Sequence, residues 1–162
     1  MSAPTQRPER GAQSAERNVE LVVFRIGELL CGINIAAVQE VNKHLDFTPV
    51  HQAPDTIRGI VNLRGQVLTI LDLRRYLGLP SRPVDGQARS IIVRHQGETV
   101  GLLVDEVDDI VSTSTEEILA PPPHLRGSYG DLFEGVLRQQ HHLVAILGVE
   151  RLWTNEPSAR SN

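Results

Sequence analysis

The chain has 162 residues, of which 40% are hydrophobic, 22% are charged and only 4% are aromatic. This composition is ordinary for a globular protein of one domain or two small joined ones, with a core built from Val, Ile and Leu. The formal charge of −4 argues against a nucleic-acid partner, because phosphate binding normally requires a basic excess. The single cysteine excludes an intramolecular disulfide. The chain has neither a long apolar run nor a signal-peptide pattern, so we expect a cytoplasmic protein.

The N-terminal third begins with a polar tail and continues as strands. Residues 1–18 hold too little apolar surface to pack, and we predict that they are disordered. Leu21 to Ile26 and Leu29 to Ile35 read as two strands joined by a turn at Gly27-Glu28. The next segment, Ala36 to Val41, fits either one helical turn or a continued strand.

The stretch from Ile57 to Leu79 reads IRGIVNLRGQVLTILDLRRYLGL and predicts a hairpin followed by a short helix. The hairpin turn falls at Arg64-Gly65, since glycine accepts a positive φ without steric cost. Asp72 is a candidate N-cap of the helix. Gly78 and the nearby Pro80 predict where the helix ends.

The second half of the chain repeats the pattern of the first. Placing Gly101 on Gly32, an offset of 69, aligns the apolar positions that follow them. Placing Gly135 on Gly59, an offset of 76, aligns a further apolar series that includes the pair Ile70 and Ile146. Since the glycines match as well as the apolar residues, a duplicated unit explains the pattern better than chance alternation, and Ile70 and Ile146 should be equivalent buried positions.

Each half holds about five short strands and a helical turn, so we predict a mainly β fold. A sheet this small must close on itself or leave exposed edges, and closure into a small barrel avoids the edges. The predicted organisation is two tandem five-stranded barrels at residues 19–84 and 85–154, followed by a disordered tail at residues 155–162. Exchange of strands between the two units stays open. Two such units packed together would leave a groove between them.

The residues that could support catalysis or bind a metal do not form such a site in the sequence, which leaves a binding surface as the expected functional feature. His141 and His142 are adjacent, so in a strand they point to opposite faces, and a polar hairpin turn is a better interpretation than a metal site. Cys31 lies in a predicted strand and is interpreted as a buried, inert thiol. The acidic run at residues 105–109 lacks the spacing of a calcium loop and is interpreted as a solvated face. We therefore predict no enzyme, no metal and no cofactor.

The central stretch also carries a family resemblance. Asn62-Leu63-Arg64-Gly65, Ile70 and Asp72-Leu73-Arg74 together resemble the signature of the CheW-like chemotaxis coupling proteins, which usually have proline where this chain has Thr69. The resemblance covers roughly Val19 to Thr154 and implies two SH3-like β-barrels side by side.

The resemblance implies a non-enzymatic adaptor that couples chemoreceptors to a histidine kinase in bacterial chemotaxis. One surface would bind the regulatory domain of the kinase, and the groove would bind the cytoplasmic helical tip of a receptor. The adaptor would thereby be recruited to receptor arrays at the membrane. The alternative is the same role in a sister pathway, such as twitching motility or biofilm signalling.

The resemblance further implies which residues bind. The repeat mates Val38 and Val107 are expected on opposing walls of the groove. Glu40 follows Val38 by two, so in an extended chain we expect both on one face, and we expect Arg64 to meet Glu40 as an ion pair. The implied receptor-binding residues are Val38, Glu40, Arg64, Gly101 and Val107, and the implied kinase-binding residues are Val50 and Leu125.

Overall fold

The computed structural model describes residues 18–43, 46–123 and 130–154, and these residues form two β-sheets. The candidate Leu125 and the predicted tails at residues 1–17 and 155–162 lie outside the described residues. The first strand begins at Asn18, one residue inside the predicted tail.

The described elements follow one another as two similar series. The strands of the first half are β1 (Asn18–Ile26), β2 (Leu29–Asn34), β3 (Val38–Asn42), β4 (Ile57–Leu63) and β5 (Gln66–Asp72). Those of the second half are β6 (Arg89–His95), β7 (Glu98–Val104), β8 (Glu106–Ser114), β9 (Ile118–Leu119), β10 (Phe133–Gln139) and β11 (His142–Leu147). Helix α1 (Leu73–Tyr76) follows β5, and helix α2 (Val149–Thr154) follows β11. A 3-10 turn at Ile35–Ala37 precedes β3, so the segment left open between helix and strand contains both.

Both sheets draw strands from both halves of the sequence. Sheet A has six strands in the order β8-β1-β2-β11-β10-β9, and sheet B has five in the order β3-β6-β7-β5-β4. The boundary after residue 84 therefore divides the sequence but does not divide the sheets.

The predicted mainly β fold with two subdomains is confirmed, with two sheets of six and five strands that are not closed into barrels in the described residues. In the part of the chain that the structure describes, the outer strands of each sheet do not pair with each other. Two of the four edges are blunted in another way, since β9 has only two residues and β4 is flanked by a single bridge between Thr48 and Ile60. Short or covered edges remove the exposure that closure would otherwise have to remove.

The strand register confirms the repeat. Gly32 of β2 lies opposite Ile146 of β11 in a parallel pair, and Gly101 of β7 lies opposite Ile70 of β5 in the other parallel pair. The two glycines are repeat mates, and so are the two isoleucines, so the same contact occurs once in each sheet. The first hairpin of each half lies in one sheet, and the third strand and last hairpin of that half lie in the other sheet. The two halves therefore exchange strands in the same way.

Three apolar clusters explain why the strands are hydrophobic on both faces. The central cluster takes residues from both sheets, among them Phe24, Ile33, Ile91 and Leu102. Alternate residues of the same strands enter a second cluster inside sheet B or a third inside sheet A. Ile70 and Ile146 are 0% and 1% exposed in these two smaller clusters, so the prediction that they are equivalent buried positions is confirmed.

Local signals in the central stretch are confirmed as well. The Asp72 side chain accepts a hydrogen bond from the Arg74 N–H (3.1 Å), as an N-cap should. Thr69, which replaces the proline that is usual in the family, lies in β5, a strand paired on both sides. Its backbone therefore belongs to an interior strand, where proline is disfavoured.

Candidate functional site

The hairpin turn between β4 and β5 presents one arginine to an acidic partner. Arg64 and Gly65 have φ values of 52° and 87°, the pair of positive angles that a tight type I′ turn requires. The Arg64 guanidinium donates to Oε2 of Glu40 in β3, so the predicted ion pair is confirmed. The Arg64 side chain is 67% exposed and that of Glu40 is 24% exposed. The pair therefore lies at the surface and joins the turn to an edge strand.

Two asparagines surround this ion pair. Nδ2 of Asn42 donates to Oε1 of Glu40 (3.0 Å), so both carboxylate oxygens of Glu40 have partners. Oδ1 of Asn62 accepts from the Gly65 N–H (2.9 Å) and braces the turn. Sequence reasoning missed the role of Asn42, although its spacing of two from Glu40 in a strand is the signal that places both on one face.

A β-bulge in β3 places Glu40 and Val38 on opposite faces of the strand. Val38 lies opposite Val93 of β6 and Glu40 lies opposite Ile92, so Gln39 is an extra residue in β3. Cross-strand partners share a face of a sheet, and Val93 belongs to the central cluster whereas Ile92 belongs to the cluster inside sheet B. The expectation that Val38 and Glu40 share a face is therefore wrong, because the bulge shifts the alternation by one residue.

The repeat mates Val38 and Val107 do lie in equivalent places. Val38 is in β3, an edge strand of sheet B, and Val107 is in β8, an edge strand of sheet A. Both are half-buried and pack against the central cluster. Val41 and Ile110, three residues farther along, have cross-strand partners in the same cluster and are 42% and 51% exposed. We call these four residues the apolar edge surface, and sequence reasoning had included only the first two as candidates.

Gly101, in contrast, lies in the interior of sheet B. It is buried, and a Cβ atom at this position would lie 2.5 Å from Cδ1 of Ile70 and 3.1 Å from Cδ1 of Ile92. Position 101 needs glycine because β7 and β5 pack too closely there for a side chain. An influence of Gly101 on binding would therefore act through the packing of β7.

Gly101→Ala is expected to lower the free energy of unfolding by about 1–3 kcal/mol, the usual effect of overpacking. Ile70→Val removes the clashing Cδ1 atom, so the double variant should be more stable than the sum of the two single changes predicts. Urea denaturation measures all three variants. Gly86→Ala is the matched control, since a Cβ there meets nothing within 4 Å, and strict additivity of the two changes would contradict the packing explanation.

The two kinase-binding candidates differ in what the structure describes. Val50 lies in the connection between β3 and β4 and is 42% exposed. Its carbonyl accepts from the Ala53 N–H (3.3 Å), which forms a turn that holds the side chain at the surface. Leu125 lies outside the described residues.

The sequence had suggested that the acidic run after β7 is a solvated face, but one of its carboxylates is buried. Asp105 is buried, and its Oδ2 accepts from Nη1 of Arg74 (2.5 Å) and from the Gly27 N–H (2.7 Å). Asp108 and Asp109 are exposed, and Asp108 pairs with Arg25 (3.1 Å). Asp105 follows the last residue of β7 in sheet B and precedes β8 in sheet A, so its contacts connect the two sheets.

The remaining chemistry-bearing side chains are a buried thiol and the histidines of the second hairpin. Cys31 is buried, and burial raises the pKa of its thiol to about 12, which leaves little thiolate at neutral pH. The second hairpin turns at Gln140 and His141, and His142 opens β11, close to the polar turn that was predicted. Across residues 18–43, 46–123 and 130–154 no group of three or more His, Cys, Asp or Glu is placed to hold a metal ion. No helix in these ranges is long and apolar enough to cross a membrane.

Two sheets around a shared core carry an apolar edge surface and a surface ion pair, which are features suited to binding another protein. Residues 20–156 match the model of the CheW-like domain, so the chain belongs to the CheW-like family. It is therefore a non-enzymatic scaffold of chemotaxis signal transduction that couples receptors to a kinase.

Relatives and a solved structure agree with this assignment. The chain is 36% identical over 142 residues to the probable chemotaxis protein CheW of Rhizobium etli, which covers 86% of this chain and 90% of the relative. It is 32% identical over 138 residues to chemotaxis protein CheW of Rhizobium meliloti, covering 85% and 88%. The crystal structure of the scaffolding protein TtCheW from Thermoanaerobacter tengcongensis matches with a TM-score of 0.75 at 31% identity, covering 81% of this chain and 89% of that one.

Proposed function

We propose that the chain binds the cytoplasmic helical tip of a chemoreceptor and the regulatory domain of a histidine kinase through separate surfaces. The receptor tip binds along the apolar edge surface. The kinase domain binds through Val50 and Leu125. The protein would then be cytoplasmic and recruited to receptor arrays at the membrane.

One observation carries the receptor assignment. The apolar edge surface consists of two pairs of repeat mates, and each pair has one member on each sheet. Val38 and Val107 pack against the central cluster, and Val41 and Ile110 have cross-strand partners in it. Val41 and Ile110 are exposed although they are large and hydrophobic. An amphipathic helix that lies along such apolar positions buries them, which is a common mode of helix recognition.

Arg64 and Glu40 are assigned to the same partner for a geometric reason. Glu40, the partner of Arg64, lies on the opposite face of β3 from Val38, but β3 is an edge strand, so a partner that covers its free edge contacts both faces. The guanidinium fork suits a carboxylate or carbonyl of that partner.

Co-purification tests the proposal most directly. The tagged chain is used to capture proteins from an extract of its own cells, and mass spectrometry identifies them. We expect a histidine kinase and a chemoreceptor together, and their identities decide between chemotaxis and a sister pathway such as twitching motility or biofilm signalling. A Val107→Glu variant should lose the receptor and keep the kinase. Retention of the receptor by this variant would contradict the assignment of the apolar edge surface.

Arg64→Ala should weaken partner binding by about 10-fold or more while changing the free energy of unfolding by at most about 1 kcal/mol. The small stability effect follows from the exposure of the pair, because surface ion pairs contribute about 0–1 kcal/mol, and a 10-fold loss of affinity corresponds to about 1.4 kcal/mol. Isothermal titration against the captured receptor tip and kinase domain measures the affinities, and urea denaturation measures stability.

The repeat supplies a matched control for this variant. Gln140 occupies the equivalent turn with φ 53°, so Gln140→Ala should leave both affinities unchanged. The charge swap Arg64→Glu with Glu40→Arg should recover part of the lost affinity. Zero coupling between the two positions in a double-mutant cycle would show that they act separately, and Arg64 would then contact the partner directly.

A further inference from the structure

We propose that Asn42 is a positioning residue of the binding surface, which holds the Glu40 carboxylate so that Arg64 is presented in one orientation. The inference rests on the proposed function for its effect on binding, but the restraint itself is a property of the free protein. Its basis is the chain of contacts from Asn42 through Glu40 to Arg64.

The register of β3 brings the three side chains together. Glu40 lies opposite Ile92 and Asn42 lies opposite Ser90, so both project from the same face of sheet B, on the side away from the central cluster. The Asn42 amide takes one carboxylate oxygen of Glu40, and the Arg64 guanidinium takes the other. Rotation of the carboxylate would break both hydrogen bonds at once.

An exposed arginine does not order itself. Its side chain loses much rotamer entropy when it is fixed, and a single surface ion pair seldom compensates for this loss. Glu40 is only 24% exposed, and Asn42 is half-buried with a short side chain that has little freedom to lose. Asn42 therefore anchors the acidic end of the pair, and the ordered Glu40 in turn restricts Arg64.

The turn supplies a second restraint from the opposite side. Asn62 accepts from the Gly65 N–H and fixes the backbone from which the Arg64 side chain starts. With the strand end and the turn both fixed, the guanidinium has a defined position before any partner arrives. Such pre-organisation lowers the entropy cost of binding.

The duplicated half shows that the fold does not need this arrangement. The repeat mates of the four residues Asn42, Glu40, Asn62 and Arg64 are Val111, Asp109, Arg138 and Gln140. The second hairpin still forms its turn with Gln140 at positive φ, without an asparagine at either bracing position. The polar set is therefore peculiar to one half of the protein, as expected of a binding feature.

Side-chain NMR relaxation tests the restraint in the free protein. Asn42→Ala should lower the order parameter of the Arg64 Nε–H bond toward the value of a solvated arginine. Asn42→Asp, which has the same shape but no donor and adds a like charge beside Glu40, should lower it at least as much. Asn42→Gln keeps an amide donor and should retain part of the order. Gln39→Ala, at the exposed neighbouring position, should change nothing, and an unchanged order parameter in Asn42→Ala would overturn the proposal.

Titration against the receptor-tip fragment identified by co-purification tests the consequence. We expect Asn42→Ala to raise Kd about 3- to 10-fold, the usual net effect of one lost hydrogen bond, and to have little further effect in an Arg64→Ala background. Increased mobility of Arg64 with unchanged Kd would overturn the positioning role in binding. If Arg64→Ala itself leaves Kd unchanged, the proposed function of the ion pair fails, and the relaxation measurement still decides whether Asn42 restrains Arg64.

Discussion

Asp105→Ala is expected to lower the free energy of unfolding by about 3–5 kcal/mol, the usual cost of removing one partner from a buried ion pair. The side chains of Arg74 and Asp105 are only 16% and 11% exposed. Without the carboxylate, the Arg74 charge and the Gly27 N–H would both lose their close partner in a poorly solvated place. Equilibrium urea unfolding, followed by circular dichroism, measures the change.

Two comparisons make the Asp105 prediction specific. Asp55 pairs with Arg75 at a similar distance (2.7 Å), but its side chain is 79% exposed. Asp55→Ala should therefore lower the free energy of unfolding by at most about 1 kcal/mol. Asp105→Asn keeps an acceptor for the Gly27 N–H and should cost less than Asp105→Ala. Equal effects of Asp105→Ala and Asp55→Ala would show that the Arg74–Asp105 pair is solvated.

Ile70→Ala and Ile146→Ala are each expected to lower the free energy of unfolding by about 2–5 kcal/mol, the range found for large-to-small changes in cores. Both side chains are almost fully buried, and each belongs to the small cluster inside its own sheet. Because the two clusters share no residue, the effects should add within about 0.5 kcal/mol in the double variant. The same urea experiment measures single and double variants.

Val67→Ala serves as the control for these truncations. Val67 is in β5, three residues before Ile70, but it is 63% exposed, so its truncation should have a small effect. A stability near that of the wild type for either isoleucine variant would show that the repeat alignment is wrong at that position.

These stability predictions bear on the proposed function because the proposed binding surface spans both sheets. The apolar edge surface is formed by β3 of sheet B and β8 of sheet A, whose relative position depends on the shared core and on Asp105. An adaptor passes coupling free energy between two partners through such fixed geometry. Variants of Asp105 that still fold should therefore weaken receptor binding although Asp105 is buried.

Features that depend on neighbouring residues were predictable from the sequence. The turn at Arg64-Gly65 and the Asp72 N-cap follow from local conformational preferences, and both are present. The repeat offsets also predicted that Ile70 and Ile146 are equivalent buried positions, because a duplicated unit buries equivalent positions. The resemblance carried by the central motif predicted the family, and the ion pair of Arg64 with Glu40 was expected from it.

Only the tertiary structure decided which strands pair and which faces the side chains take. Strand exchange between the halves arises from pairings between distant residues, which leave no local pattern. The bulge at Gln39 places Glu40 on the opposite face from Val38, and the period of two in a strand is blind to one extra residue. Asp105 was misread as solvated because an acidic run looks alike whether or not a distant arginine such as Arg74 meets one of its carboxylates.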